Sequence, residues 1–216
     1  MNVAYNLDCM EAMKQMPDKT WELAICDPPY GIGVDGQKER YDAKNPKHSR
    51  KAHMQKNWDS DIPSGTYFSE LMRVSKNQII WGANYFVQYL SQGHKGWIVW
   101  DKAQHGLTMS DCELAYSSFD SPTRVFTQNR VILLQEGTIH PTQKPVKLYE
   151  WLLTHYAKPG DRILDTHLGS GSSRIAAYNL GFDFTGYEID KDYFDAQEKR
   201  FQAHIAQISL FDKEAT

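Results

Sequence analysis

Apolar residues recur along this chain at two spacings, and the two alternate. Short apolar runs at Trp21–Cys26, Asn77–Trp81, Gly96–Trp100, Glu113–Ser118, Arg124–Phe126, Arg162–Asp165 and Phe182–Ile189 read as strands, and residues 3–8 as a short strand or edge. Between them lie segments with apolar residues three and four apart. Met10, Met13 and Met16 mark a helix over Cys9–Met16, stopped by Pro17 and Asp18, and the simplest use of these methionines is core packing. Phe68, Leu71 and Met72 share a face of a helix over Tyr67–Val74, and Tyr85–Leu90 reads as another. Val146, Tyr149, Leu152, Leu153 and Tyr156 form the buried stripe of a helix over Val146–Tyr156, with Pro145 suited to its first turn. Arg174–Leu180, ended by Gly181, and Asp190–Ala206 complete the set. Strands alternating with helices predict an α/β fold with a mostly parallel, doubly wound sheet.

Two stretches break this rhythm. Residues 31–61 carry Gly31, Gly33 and Gly36, then Lys38, Arg40, Lys44, Lys47, Arg50, Lys51 and Lys56, with almost no apolar periodicity. They read as a long mobile loop, either functional or a solvated insertion. Residues 103–139 mix short apolar runs with Gln104, His105, Thr108, Arg124, Gln128, Asn129 and Arg130, which fits either a set of polar contacts to a ligand or a half-exposed β-meander.

Composition narrows the class without naming an activity. The 216 residues suit one domain over 1–216, and 41% hydrophobic with 24% charged residues is ordinary for a soluble globular chain. The start, Met1–Asn6, shows no basic region followed by an apolar run, and no apolar stretch is long enough to span a bilayer, so a cytoplasmic protein and no membrane partner are expected. Three scattered cysteines and eight scattered histidines form no ligand spacing, so no metal is expected. A net charge of −3 and a pI near 6.2 exclude a wholly basic nucleic-acid binder but leave room for a local patch.

The chemistry concentrates in two places. At Asp27-Pro28-Pro29-Tyr30 an acid falls at the end of the Trp21–Cys26 strand, and two prolines fix the backbone after it. A carboxylate, carbonyls and a flat ring make a rigid acceptor-rich pocket for a planar ligand bearing an amino group. The amino group would donate to Asp27 and the Pro28 carbonyl, and Tyr30 would stack on the ring. The second place is a strand, a glycine turn at Gly169-Ser170-Gly171, a helix and a strand ending at Glu188. That is a nucleotide-binding unit, with the acid about twenty positions after Gly169, the usual reach to a ribose. A dinucleotide fingerprint wants a third glycine where Arg174 stands.

These residues resemble the amino-methylating DNA methyltransferases with an Asp-Pro-Pro-Tyr motif, the beta-class N4/N6 enzymes. Ile79–Phe86 and Trp97–Lys102 look like their phage and prophage members. The resemblance implies an S-adenosylmethionine-dependent, Rossmann-like methyltransferase fold. Its catalytic motif precedes its cofactor motif, a circular permutation that still sets Asp27 and Asp165 at the C-terminal edge of neighbouring strands. It implies methyl transfer from S-adenosylmethionine to N6 of adenine in double-stranded DNA. Cytosine N4, adenine in RNA, and a silent DNA-binding module are the alternatives. For the cofactor it implies Asp8, Cys9, Lys144, Asp165, Leu168, Gly169, Ser170, Gly171, Ser172, Glu188 and Ile189. Within that set Asp165 would receive the cofactor's ammonium group, Glu188 its ribose, and Ile189 would pack on its adenine. Asp8 also reads simply as a helix cap. Thr166 and His167 depart from the Pro and Phe common in the family's loop. For DNA, Lys38, Arg40, Lys44, Lys47, Arg50 and Lys51 would meet phosphates from the 31–61 loop, and 103–139 would supply target recognition. A homodimer and a cognate restriction nuclease outside this chain are partners such enzymes have, in a bacterial or phage-encoded setting.

Overall fold

The computed structural model describes residues 1–36, 52, 56–90, 95–104, 106, 110–129 and 137–214, with side chains described to residue 207. Among them, eight strands form one sheet: β1 (Asn2–Tyr5), β2 (Trp21–Cys26), β3 (Ser75–Trp81), β4 (Trp97–Asp101), β5 (Cys112–Ser117), β6 (Arg124–Thr127), β7 (Arg162–Asp165) and β8 (Asp183–Tyr187). Their spatial order is β1-β8-β7-β2-β3-β5-β4-β6. All neighbours run parallel except in the two pairings of β5, which is reversed between β3 and β4. The helices are α1 (Cys9–Gln15), α2 (Gly65–Val74), α3 (Val146–Tyr156), α4 (Ser172–Asn179) and α5 (Lys191–Glu214).

Alternation along each strand explains the layers. In β2, Leu23 and Ile25 face one side with α3 residues Leu148, Tyr149, Leu152 and Leu153 and α4 residues Ala176 and Ala177. Ala24 and Cys26 face the other, with Met13 of α1 and Tyr67, Phe68, Leu71 and Val74 of α2. A sheet covered on both faces can run parallel, because neither face needs a polar side. Met10 and Met16 pack against the core that Met13 enters, so the methionines are packing residues.

Two clamps fix the register around the centre. Glu22 takes the Arg162 backbone N–H and guanidinium at 3.0–3.1 Å, pinning the starts of β2 and β7 together. The Arg162 hydrogen bond draws the Glu22 carboxyl down to about 2. On the far side, Arg73 of α2 donates to the carbonyls of Met13 and Met16, closing the end of α1.

The expected elements appear with boundaries shifted by a few residues, save two. The closing helix, expected to end at Ala206, runs on to Glu214. Tyr85–Leu90 is not an α-helix but two 3-10 turns, Ala83–Tyr85 and Val87–Tyr89, entered through Gly82 at φ +70°. Only Phe86 and Leu90 of that segment are buried, too few for a helical stripe.

Leu23 has no exposed surface and lies in the middle of the sheet. Leu23→Ala should cost about 2–5 kcal/mol. Urea unfolding of the two proteins reads this as a lower midpoint at unchanged slope.

Candidate active site

β2 and β7 pair in parallel at Leu23–Ile163 and Ala24–Leu164, so the residues after Cys26 and Asp165 leave the sheet side by side. A cavity of about 750 Å³ opens at this edge. It runs from Asp27, Pro28, Pro29 and Tyr30 at one end to Leu168, Gly169, Ser170, Ser172, Glu188 and Ile189 at the other.

At the first end, Asp27 is bonded through both oxygens. Oδ1 accepts the Tyr30 hydroxyl at 2.6 Å and Oδ2 accepts Lys144 Nζ at 2.5 Å. Lys144 also pairs with Glu113 at 3.0 Å, and Glu113 with Lys102 at 2.9 Å. Burial pushes the Asp27 carboxyl up, Lys144 opposes it, and Glu113 adds to it. Burial pushes Glu113 up too, but its two lysines outweigh that and bring it to about 2. Burial works against the charge of Lys144, yet Asp27 and Glu113 together hold its pKa above the ordinary lysine value.

The backbone after the prolines is tied by Asp59, 2% exposed. Its carboxylate accepts the N–H groups of Tyr30, Gly31 and Val34 at 2.7, 2.9 and 2.8 Å. Tyr30 packs so closely on Gly82 that a Cβ there would lie 2.0 Å from its ring. Its ring also stacks on Tyr85, with centroids 5.1 Å apart and planes at 16°. Tyr30 thus already carries a stacked neighbour, and its hydroxyl orients Asp27.

At the second end, Gly169 and Gly171 turn the chain at φ +50° and +73° into α4. Glu188 accepts the Gly169 N–H at 2.8 Å and the Asp190 N–H at 2.9 Å, fixing its carboxylate at the cavity wall. Ile189 beside it is 67% exposed. His140 and Tyr193 form a ring contact at 4.3 Å, Trp58 packs on His140 at 5.1 Å, and all three line the cavity. Lys56 bonds Asp190 at 2.7 Å, so residues 56–59 touch both the strand end that bears Glu188 and the loop that bears Tyr30.

Of the expected cofactor residues, Asp8, Cys9, Asp165 and Gly171 do not line the cavity, and Lys144 lines it with its ammonium already paired. Asp165 is 2% exposed and does not line the cavity: one oxygen accepts the His167 N–H, the other the Ser173 hydroxyl, so it shapes the loop from behind. Asp8 caps α1 through Met10 N–H, and Cys9 is buried in the core beneath; neither lines the cavity. Lys144 lines it but is spent on Asp27 and Glu113. Gly171 contributes its turn rather than a wall. The Thr166 and His167 departures have a local explanation: Thr166 bonds the buried Tyr67 hydroxyl at 2.7 Å, and His167 packs edge-on against the same ring. Lys38, Arg40, Lys44, Lys47, Arg50 and Lys51 lie outside the described residues.

Glu113, Lys102, Asp59, Tyr85 and Trp58 were not anticipated. Glu113 carried a signal, a charge at the head of an apolar strand; Asp59, in a stretch without periodicity, carried none. Among the described residues no group of three or more His, Cys, Asp or Glu is placed to hold a metal, and no helix is long and apolar enough to cross a membrane.

Known proteins resemble this chain in sequence and in fold. The family model described as DNA methylase matches residues 99–199. The type II methyltransferase M.HinfI of Haemophilus influenzae is 24% identical over 251 residues, covering 94% of this chain and 68% of its own. M2.DpnII of Streptococcus pneumoniae is 42% identical over 64 residues, covering 30% and 24%. Among solved structures, the M1.HpyAVI–SAM complex superposes with a TM-score of 0.64 at 21% identity, over 93% of this chain and 100% of that one. The cytosine-N4-specific PvuII DNA methyltransferase gives 0.62 at 12% identity, over 93% and 86%. At these identities the structures share the fold.

Two measurements test the site's construction. Asp59→Ala leaves three backbone N–H groups without their acceptor, each costing about 1–3 kcal/mol if it stays buried. Hydrogen exchange at Tyr30, Gly31 and Val34 should accelerate well before exchange in β2. The second concerns Asp165, whose buried carboxyl is pushed from 3.8 up to about 7. The native state then holds a proton that the unfolded chain releases, so this group's contribution is present below about pH 4 and lost as pH rises towards 7. His167, lowered by burial to about 4, acts in the opposite sense. Asp165→Asn should therefore gain stability relative to wild type as pH rises across that window; a constant difference in unfolding free energy would refute the assignment.

Proposed function

We infer that this chain, which belongs to the DNA methylase family, transfers a methyl group from S-adenosylmethionine to N6 of adenine in double-stranded DNA. The observation that carries the reading is the Asp27 carboxylate at the end of β2, opening into the same cavity as the Gly169 turn and Glu188. The cofactor half fits that group. Glu188 presents a carboxylate fixed by two backbone N–H groups, suited to a pair of ribose hydroxyls, and exposed Ile189 offers an apolar surface for an adenine ring. Leu168, Gly169, Ser170 and Ser172 would line the remainder of its seat. When bound, S-adenosylmethionine supplies an electrophilic methyl group.

The chain's own residues then have separate tasks. An adenine amino group is a weak nucleophile because its lone pair is delocalised, and in a duplex it is stacked, so the base must be turned out of the helix. Asp27 and the Pro28 carbonyl would accept its two N–H groups, favouring a tetrahedral nitrogen and stabilising the positive charge that grows there. The Tyr30 and Tyr85 rings would hold the base plane. Asp59 and Gly82 keep Tyr30 in place. Asp27 acts by holding and polarising, so the proton can leave after transfer.

Adenine is favoured over cytosine because a charged carboxylate is a stronger acceptor than a hydroxyl and matches the weaker nucleophile. In this reading Lys38, Arg40, Lys44, Lys47, Arg50 and Lys51 neutralise phosphates, and residues 103–139 take part in target recognition. It also carries a homodimer and a separately encoded nuclease, by analogy with type II systems, and a cytoplasmic setting in a bacterium, host- or phage-encoded.

Asp27→Ala should keep S-adenosylmethionine binding, measured by calorimetry, and lose methyl transfer by about 10²-fold or more. Digesting the methylated DNA to nucleosides and weighing them identifies the product. N4-methylcytosine as the main product would overturn the base assignment, methylated RNA the duplex, and full activity of Asp27→Ala the mechanism.

A further inference from the structure

Lys144 raises a problem for the proposed chemistry. Its ammonium occupies Asp27 Oδ2 at 2.5 Å, the acceptor that an incoming amino group needs. It has little access to water as it stands: the side chain is 1% exposed, and Nζ lies over the rings of Trp81 and Tyr30 at 5.3 and 5.5 Å. The other carboxylate within reach is Glu113, at 3.0 Å. Glu113 is itself anchored from behind by Lys102 at 2.9 Å, whose side chain is 7% exposed. It reaches this edge because β5 runs against its neighbours, bringing the start of β5 to where β3 and β4 end.

We propose that Glu113 is a positioning residue for amine methylation, the acceptor that takes Lys144 when Asp27 turns to the target amino group. The inference rests on the methyl-transfer reading above. Two carboxylates flank one ammonium, so Lys144 moves between them over a short distance without ever losing a charged partner. That spares the cost of stranding a buried cation. The charge balance points the same way. Asp27, Lys144, Glu113 and Lys102 sum to zero, whereas without Glu113 the set carries a net positive charge beside a nitrogen that becomes positive in the transition state. Lys102 keeps Glu113 charged and in place; Glu113 in turn leaves Asp27 available.

The test uses the full chain, labelled S-adenosylmethionine and bacterial genomic DNA lacking adenine methylation, under single-turnover conditions. Glu113→Gln should slow methyl transfer by about 10- to 100-fold, the scale of one lost preorganised electrostatic contact, with cofactor affinity unchanged. Glu113→Asp, which retains the charge, should restore most of the rate. Glu113→Gln combined with Lys144→Met removes the unbalanced cation and should be faster than Glu113→Gln alone. A Glu113→Gln rate equal to wild type, or a double variant no faster than the single, overturns the proposal.

Failure of the functional reading gives a different signature: wild-type protein that methylates no DNA or RNA. In that case the carbon-13 titration of the Asp27 carboxyl still decides. Its midpoint should fall in Glu113→Gln, as Lys144 passes wholly to Asp27; an unmoved midpoint rejects the sharing of Lys144.

Discussion

A string of four charges of alternating sign, two buried lysines and two half-buried acids, governs this molecule's active edge. Asp27, Lys144, Glu113 and Lys102 arrive from separate places in the chain, and the two lysines would be costly there without the acids. Burial pushes the Asp27 carboxyl up, and Lys144 opposes that shift. Such a string adds little to stability against an apolar substitute of the same shape. What it supplies is a carboxyl paired with a buried cation and aimed at the cavity by the Tyr30 hydroxyl.

The sheet makes that convergence possible. In a parallel sheet, ligand-facing residues come from strand ends, and β2 and β7 supply Asp27 and the glycine loop from adjacent ends. The order of these units along the chain is immaterial to the site, because pairing in space is what joins them. β1 docks on β8, so the first and last strands of the chain are neighbours at one edge. Residues 56–59 add a tie across the opening, from Asp190 to the backbone of Tyr30.

Most of this frame was legible in the sequence. Strands and helices announced themselves because their apolar spacing is dictated by burial on two faces, and Val146–Tyr156 and Arg162–Asp165 fell where expected. Asp27 and Glu188 were visible because rigid or glycine-rich turns flank them. Side-chain orientation was less legible. Asp165 and Lys144 have the right chemistry for a ligand, but residue type does not tell which way a side chain turns; one faces the loop it supports, the other its own ion pair. Asp59 was invisible for the complementary reason. Its task is set by three N–H groups of a distant segment, a tertiary relation that leaves no periodicity.

The reversed strand has an architectural consequence. Because Asp101 pairs with Cys112, residues 102–111 leave and re-enter the sheet at the cavity's own rim, and Lys102, Ser110 and Asp111 line it. A hairpin closed at its base by strand pairing can lengthen, shorten or change composition without disturbing the register beneath it. Variation past Lys102, over the rest of this connection, would alter the outline of the entrance while Glu113, the second residue of β5 and anchored by Lys102, stays where it is. The scaffold thus separates the part that must remain fixed for chemistry from a part free to diverge.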